Sequence, residues 1–263
     1  MKTITKAWIN LGLFLLTIGV NALGAFGFIN GMSQKEVSDA YPTLITPSPS
    51  TFSIWGVIYT LLLVSLVWMI VKNKEEKTAK VTEAISLPFW VSSVANILWI
   101  VTFSYKWIGI STLLILLLVI SLAVVNMRLK APQGIGQKVN ALAFGLYNGW
   151  LIVATVVNVS AFLVQVKWDG FGLSADTWAV VILIVALLLT SLIQIRLRHA
   201  ALTLPLAWAN FGIWQQHRAE GVFAGQYPAV ITATIVIGAA YVIIAAIVFV
   251  LNRRCLLPQR DTN

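Results

Sequence analysis

The chain has 263 residues, 59% hydrophobic and only 10% charged, with a formal net charge of +9 and a mean hydropathy of +0.88. A soluble domain carries roughly 25% charged residues and must cover its surface with polar groups, so this composition excludes one and points to lipid as the solvent. The basic residues sit in short runs between apolar stretches, the pattern of membrane-protein loops rather than of a nucleic-acid surface, and the single cysteine, Cys255, rules out an internal disulfide or a multi-cysteine metal site.

A spanning helix needs about 20 mostly apolar residues. Candidates lie at 7–29, 51–71, 83–105, 107–127, 139–165, 177–195, 200–216 and 227–251. The first contains Asn10 and Asn21, and its small residues Ala22 to Ala25 also resemble a signal-peptide cleavage site; cleavage there is the alternative. Gly27 and Gly31 read as a turn at its end rather than as a dimerisation motif. Residues 31–50 carry Pro42, Pro47 and Pro49 without helical periodicity, which predicts a structured or mobile covering loop. The third candidate opens at Glu83, the nearest approach of an acid to the membrane interior. All nine acids fall in loops, tails or helix ends, so no proton or sodium relay is expected. The sixth is nearly uninterrupted Val, Ile and Leu. The seventh is the weakest: it is short, holds Pro205 and Asn210, and is flanked by Arg198, His199 and His217.

Lysine and arginine set the orientation. With the N-terminus inside, the inner side holds Lys2, Lys6, Lys72, Lys74, Lys77, Lys80, Arg128, Lys130, Lys138, Arg196, Arg198, Arg253, Arg254 and Arg260, against Lys35, Lys106, Lys167 and Arg218 outside, a split of 14 to 4. Omitting the seventh pass would move the C-terminal arginines outside and spoil the split. The expectation is eight helices in a cell membrane, with both termini cytoplasmic.

The two histidines bracket the seventh helix and are expected on opposite sides of the membrane, which argues against paired haem or metal ligation. No Walker loop, nucleophile elbow or HExxH is present. Of eleven tryptophans, Trp8, Trp68, Trp107, Trp168 and Trp178 fit interfacial belts, whereas Trp99, Trp150 and Trp208 lie deeper. Asn96, Trp99 and Phe103 share one face of the third helix; Tyr147, Trp150, Ala154 and Asn158 share one face of the fifth; Trp55 and Tyr59 are one turn apart in the second. Helix–helix packing accounts for any one of these residues alone. Three aromatic faces at similar depth suit a flat apolar ligand oriented by a few amides.

These faces resemble the TspO/MBR family, the translocator or tryptophan-rich sensory proteins. Trp55 and Tyr59 after the Pro-rich run match its second-helix pattern, although Phe52 stands one residue too close. Asn96, Trp99 and Phe103 match the third helix. Tyr147, Trp150, Ala154 and Asn158 match the fifth, with Leu146 in place of a proline. The resemblance implies an all-α integral membrane protein: a TspO-like five-helix bundle over 1–165 (helices from about residue 7), and a three-helix extension over 166–263 with a short basic tail, similar to a longer eight-helix branch. It further implies a ligand pocket formed by Trp55, Tyr59, Asn96, Trp99, Phe103, Tyr147, Trp150, Ala154 and Asn158, taking a porphyrin such as protoporphyrin IX or haem with no required cofactor. The covering loop lacks the tryptophan that such a pocket lid would offer. Expected partners are the bilayer and a small lipophile, tetrapyrrole or sterol-like, with no nucleic acid and a homodimer left open. A transporter or flippase of a small lipophile is the alternative function, and porphyrin photo-oxidation a minor one.

Overall fold

The computed structural model describes residues 1–129, 132–218 and 220–259; Lys130 and Arg260 of the charge count lie outside these described residues. Among them the fold is all-helical: α1 (Thr3–Ala25), α2 (Gln34–Asp39), α3 (Ile54–Val71), α4 (Glu76–Ser104), α5 (Ile108–Arg128), α6 (Gly134–Gln165), α7 (Ala175–Leu197), α8 (Ala200–His217) and α9 (Pro228–Leu251), with 3-10 turns at Pro49–Ser53 and Gly170–Gly172. Seven of the helices are long and apolar enough to cross a membrane. The protein is therefore an all-α, multi-pass membrane protein.

Two expectations need correction. The loop at 31–50 contains a helix, α2, because Ser33 and Glu36 form a capping box: the Ser33 hydroxyl accepts from the Glu36 N–H, and the Glu36 carboxylate accepts from the Ser33 N–H at 2.7 Å. Glu83 does not open a helix; it lies about two turns inside α4 and accepts a hydrogen bond from Thr3 Oγ1 at 2.9 Å. The seventh candidate span is present as α8, although it is not among the seven helices that qualify by length and composition. Eleven of its eighteen residues are buried, including Thr203, Asn210 and His217, so protein rather than lipid surrounds its polar groups.

By packing, the chain divides into two compact units, Met1–Tyr41 with Tyr59–Phe144, and Pro42–Ile58 with Gly145–Asn263. This partition by contact is distinct from the motif-based division at residue 165.

In the first unit α4 packs against α1 and α5. Amides buried in a membrane protein need partners within it, and the α1–α4 seam supplies them. Asn10 Nδ2 donates to Ser86 Oγ at 3.1 Å while its oxygen accepts from Trp90 Nε1 at 2.6 Å. About three turns farther along α1, Asn21 Nδ2 donates to Asn96 Oδ1 at 2.7 Å. Pro88 interrupts α4. Lacking an N–H, it leaves the Ala84 carbonyl without its helical donor, and Arg128 from the end of α5 donates to that carbonyl at 2.5 Å.

In the second unit α9 packs against α7 and α8, around a core that includes Leu183, Leu202, Leu206, Ile213, Ile237 and Tyr241. The α7–α8 connection is only two residues long. Gln194 closes it, donating to the His199 carbonyl and accepting from the His199 N–H, both at 2.8 Å. Gly149 lets α6 approach α8: a Cβ there would stand 2.1 Å from the Leu202 carbonyl oxygen, so any side chain forces the helices apart.

Two outcomes follow. Arg128→Ala should destabilise the protein by about 0.5–1.5 kcal/mol, and Pro88→Ala should recover most of that loss by restoring the N–H; thermal unfolding in detergent of both single variants and the double reads the coupling. The Ser33 N–H and hydroxyl hold the Glu36 carboxyl below the usual carboxylate range. A depressed folded-state pKa means the cap is in place above the ordinary carboxylate pKa and is lost as pH falls through the lowered value. Amide protection in 34–40, taken against the intrinsic exchange rate at each pH, should therefore fall at acid pH in the wild type, and be insensitive to that titration in Glu36→Gln.

Candidate functional site

The second unit gathers the aromatic residues most suited to a site. Tyr147 and Trp150, three residues apart on α6, project from one face. The turn Pro49–Ser53 and the first turn of α3 deliver Phe52 and Trp55 to that face. Trp55 meets Trp150 edge-on, with ring centroids 6.2 Å apart and planes at 88°, and meets Tyr147 at 6.1 Å and 63°. Phe52 meets Trp150 at 5.6 Å and 90°. These edge-to-face arrangements are the ones the ring quadrupole favours, each worth about 0.5–1.5 kcal/mol beyond burial. The cluster is graded: Trp150 and Tyr147 are buried, Trp55 is half-buried, and Phe52 remains 43% exposed. Farther along the same face, at four-residue steps from Trp150, stand Ala154, half-buried, and Asn158, buried.

Four of the expected site residues belong to the first unit. Asn96 is fully buried and accepts the Asn21 amide, which commits its oxygen to the α1–α4 seam. Trp99 is buried one turn on, and Phe103 is half-buried another turn beyond. Tyr59, also half-buried, meets the edge of Phe14 with centroids 6.1 Å apart. The structure thus joins Trp55, Tyr147 and Trp150 in direct contact, with Ala154 and Asn158 on the same helix face, and places Tyr59, Asn96, Trp99 and Phe103 in the other unit.

Sequence reasoning missed Phe52 as a member of the cluster, because the motif frame asked for a residue one position earlier. The local signal was present: Pro49 begins a 3-10 turn ahead of α3, so spacing across that junction does not follow α-helical periodicity. Phe14 and Asn21, the α1 partners of Tyr59 and Asn96, were not connected to these positions either; nothing in one helix's spacing reveals its partner.

A cavity of about 230 Å³ in the second unit lies elsewhere, between residues Pro42 to Ile45, the end of α6 and the start of α7, beside Trp168 and Trp178. None of the nine expected residues lines it. A second cavity of about 30 Å³, with Asn210 and Tyr241 in its wall, has room for a single water. His199 and His217 stand at opposite ends of α8. Among the described residues no three His, Cys, Asp or Glu side chains group as a metal site. The aromatic cluster itself contains no ionisable acid or base other than the Tyr147 phenol, so it suits stacking and van der Waals contact rather than proton transfer.

No curated protein and no solved structure matches the chain. The model of the family described as TSPO-like protein matches residues 7–249, a stretch that includes α7, α8 and nearly all of α9. With its membrane helices and that match over almost its whole length, the chain belongs to the TSPO-like protein family.

Proposed function

We propose that this membrane protein binds a flat lipophilic ligand of the tetrapyrrole class, protoporphyrin IX or haem, with Trp55, Tyr147 and Trp150 as its aromatic contact surface. The observation that carries the reading is the graded cluster: two buried rings form a wall, and two more accessible rings, Trp55 and Phe52, form its edge. A planar conjugated ligand gains from such a wall by stacking and edge contacts at every depth, without a charged partner. Ala154 adds little bulk beside it, and Asn158 supplies an amide for orientation. Tyr59, Asn96, Trp99 and Phe103, the remaining expected residues, belong to the first unit. A sterol-like lipophile is the competing ligand class.

Titration of the purified protein with protoporphyrin IX, followed at the porphyrin Soret band, should saturate. Trp150→Ala should weaken binding about tenfold, corresponding to about 1.4 kcal/mol, and Trp99→Ala reports in the same way on the first unit. Equal affinities for wild type, Trp150→Ala and an unrelated membrane protein overturn the reading, and tight binding of a sterol in place of porphyrin reassigns the ligand class.

We further propose that α8 crosses the bilayer as an eighth span, so that both termini are cytoplasmic in the cell membrane. Its eighteen residues reach about 27 Å, close to the ~30 Å hydrocarbon thickness, and the 14-to-4 basic split supports the orientation. Cys255, the sole cysteine, reports on it directly. A membrane-impermeant maleimide should label it only after permeabilisation of the cell; labelling of intact cells at the same rate contradicts the topology.

A further inference from the structure

The segment ahead of α3 is bound along α8 by hydrogen bonds between residues more than 150 positions apart. Trp208 Nε1 donates to the Thr51 carbonyl at 2.9 Å. The Ser48 N–H donates to the Gly212 carbonyl at 3.1 Å, and the Ser48 hydroxyl donates to Gln215 Oε1 at 2.7 Å. At the far end His217 Nε2 meets the Leu44 carbonyl at 2.7 Å. As α8 advances from 208 to 217 its partners descend from 51 to 44, so the segment runs antiparallel to the helix over about 14 Å. Residues 208, 212 and 215 share one helical face. Gly212 makes the approach possible: a Cβ there would stand 2.1 Å from Thr51 Oγ1. Ser48 and Thr51 are buried by the contact.

We propose that α8 is a positioning helix: through Trp208, Gly212 and Gln215 it fixes residues 48–51 and thereby sets Phe52 and Trp55 against Trp150. Phe52 directly follows the Thr51 anchored by Trp208, and Trp55 lies less than one helical turn beyond; both touch Trp150. A strap that loosens along α8 therefore releases the accessible edge of the cluster while its buried wall on α6 stays in place. This gives the three-helix part of the chain a task, control of the outline of the contact surface. On the ligand side the inference rests on the reading proposed above.

The test uses the full-length protein in nanodiscs, with hydrogen exchange of residues 43–53 and Soret-band titration of protoporphyrin IX. Gln215→Ala with Trp208→Phe, and separately Gly212→Ala, should accelerate exchange in 43–53 at least tenfold and weaken porphyrin binding at least fivefold, while exchange in α4 and α5 is unchanged. Gln215→Glu, which keeps the accepting oxygen, should retain protection. Unchanged exchange in 43–53 overturns the proposal, as does faster exchange with unchanged affinity. If the wild type binds no porphyrin, the ligand reading fails alone. The 5-fluorotryptophan resonance of Trp150, identified by its loss in Trp150→Phe, then decides the positioning role: a shift in Gln215→Ala supports it, and an unmoved signal refutes it.

Discussion

A polar group inside a bilayer has no water to turn to, and must find its partner within the protein. The internal contacts of each unit follow from that requirement. Asn10 and Asn21 on α1 are satisfied by Ser86, Trp90 and Asn96 on α4, and these pairs fix the register of the two helices. Pro88 frees a carbonyl in α4, and Arg128 answers it. Gln194 closes the α7–α8 turn by bonding both backbone groups of His199. Between helices already surrounded by apolar lipid, such bonds and close packing replace the hydrophobic drive of a soluble core.

The same requirement explains why α8, alone among the long helices, lacks an apolar run long enough to qualify as a span by composition. Its Trp208 indole, Gln215 amide and His217 ring are directed to the segment ahead of α3, and Gly212 omits a side chain so that this segment can approach. Read by hydropathy alone, the helix looks marginal. In the fold its polarity is the means by which the segment carrying Phe52 is held. On the proposed reading, the site's accessible edge depends on α8 and its wall on α6, so helices distant in sequence share one task.

The long helices were legible from the sequence because runs of apolar residues leave little choice of structure in lipid: α5, α7 and α9 lie within two residues of their expected limits. Tyr147, Trp150, Ala154 and Asn158 were legible as a face for the same reason, since a regular helix converts spacing into direction. Short-range chemistry was less visible. The Ser33–Glu36 box was present but masked by the prolines that follow it, and the Pro49 turn moved Phe52 out of the expected register. Tertiary partners were not legible at all. That Asn96 meets Asn21, or that Thr51 meets Trp208, depends on which helices pack together, and a single sequence carries no record of that choice.

Central to this account is that α8 lies within the bilayer with its polar groups turned toward protein. Leu204, 38% exposed, and Phe211, 43% exposed, stay open on the face that also carries Trp208 and Gln215, beside the bound segment, and on this account they meet lipid, whereas Ala209 is buried. Spin labels placed singly at these positions in a Cys255→Ser background, with collision rates measured against oxygen and a water-soluble nickel chelate, test the arrangement most directly. The account predicts high oxygen and low nickel accessibility at positions 204 and 211, and low values of both at 209. Nickel accessibility at 204 and 211 matching that of an aqueous loop would contradict it.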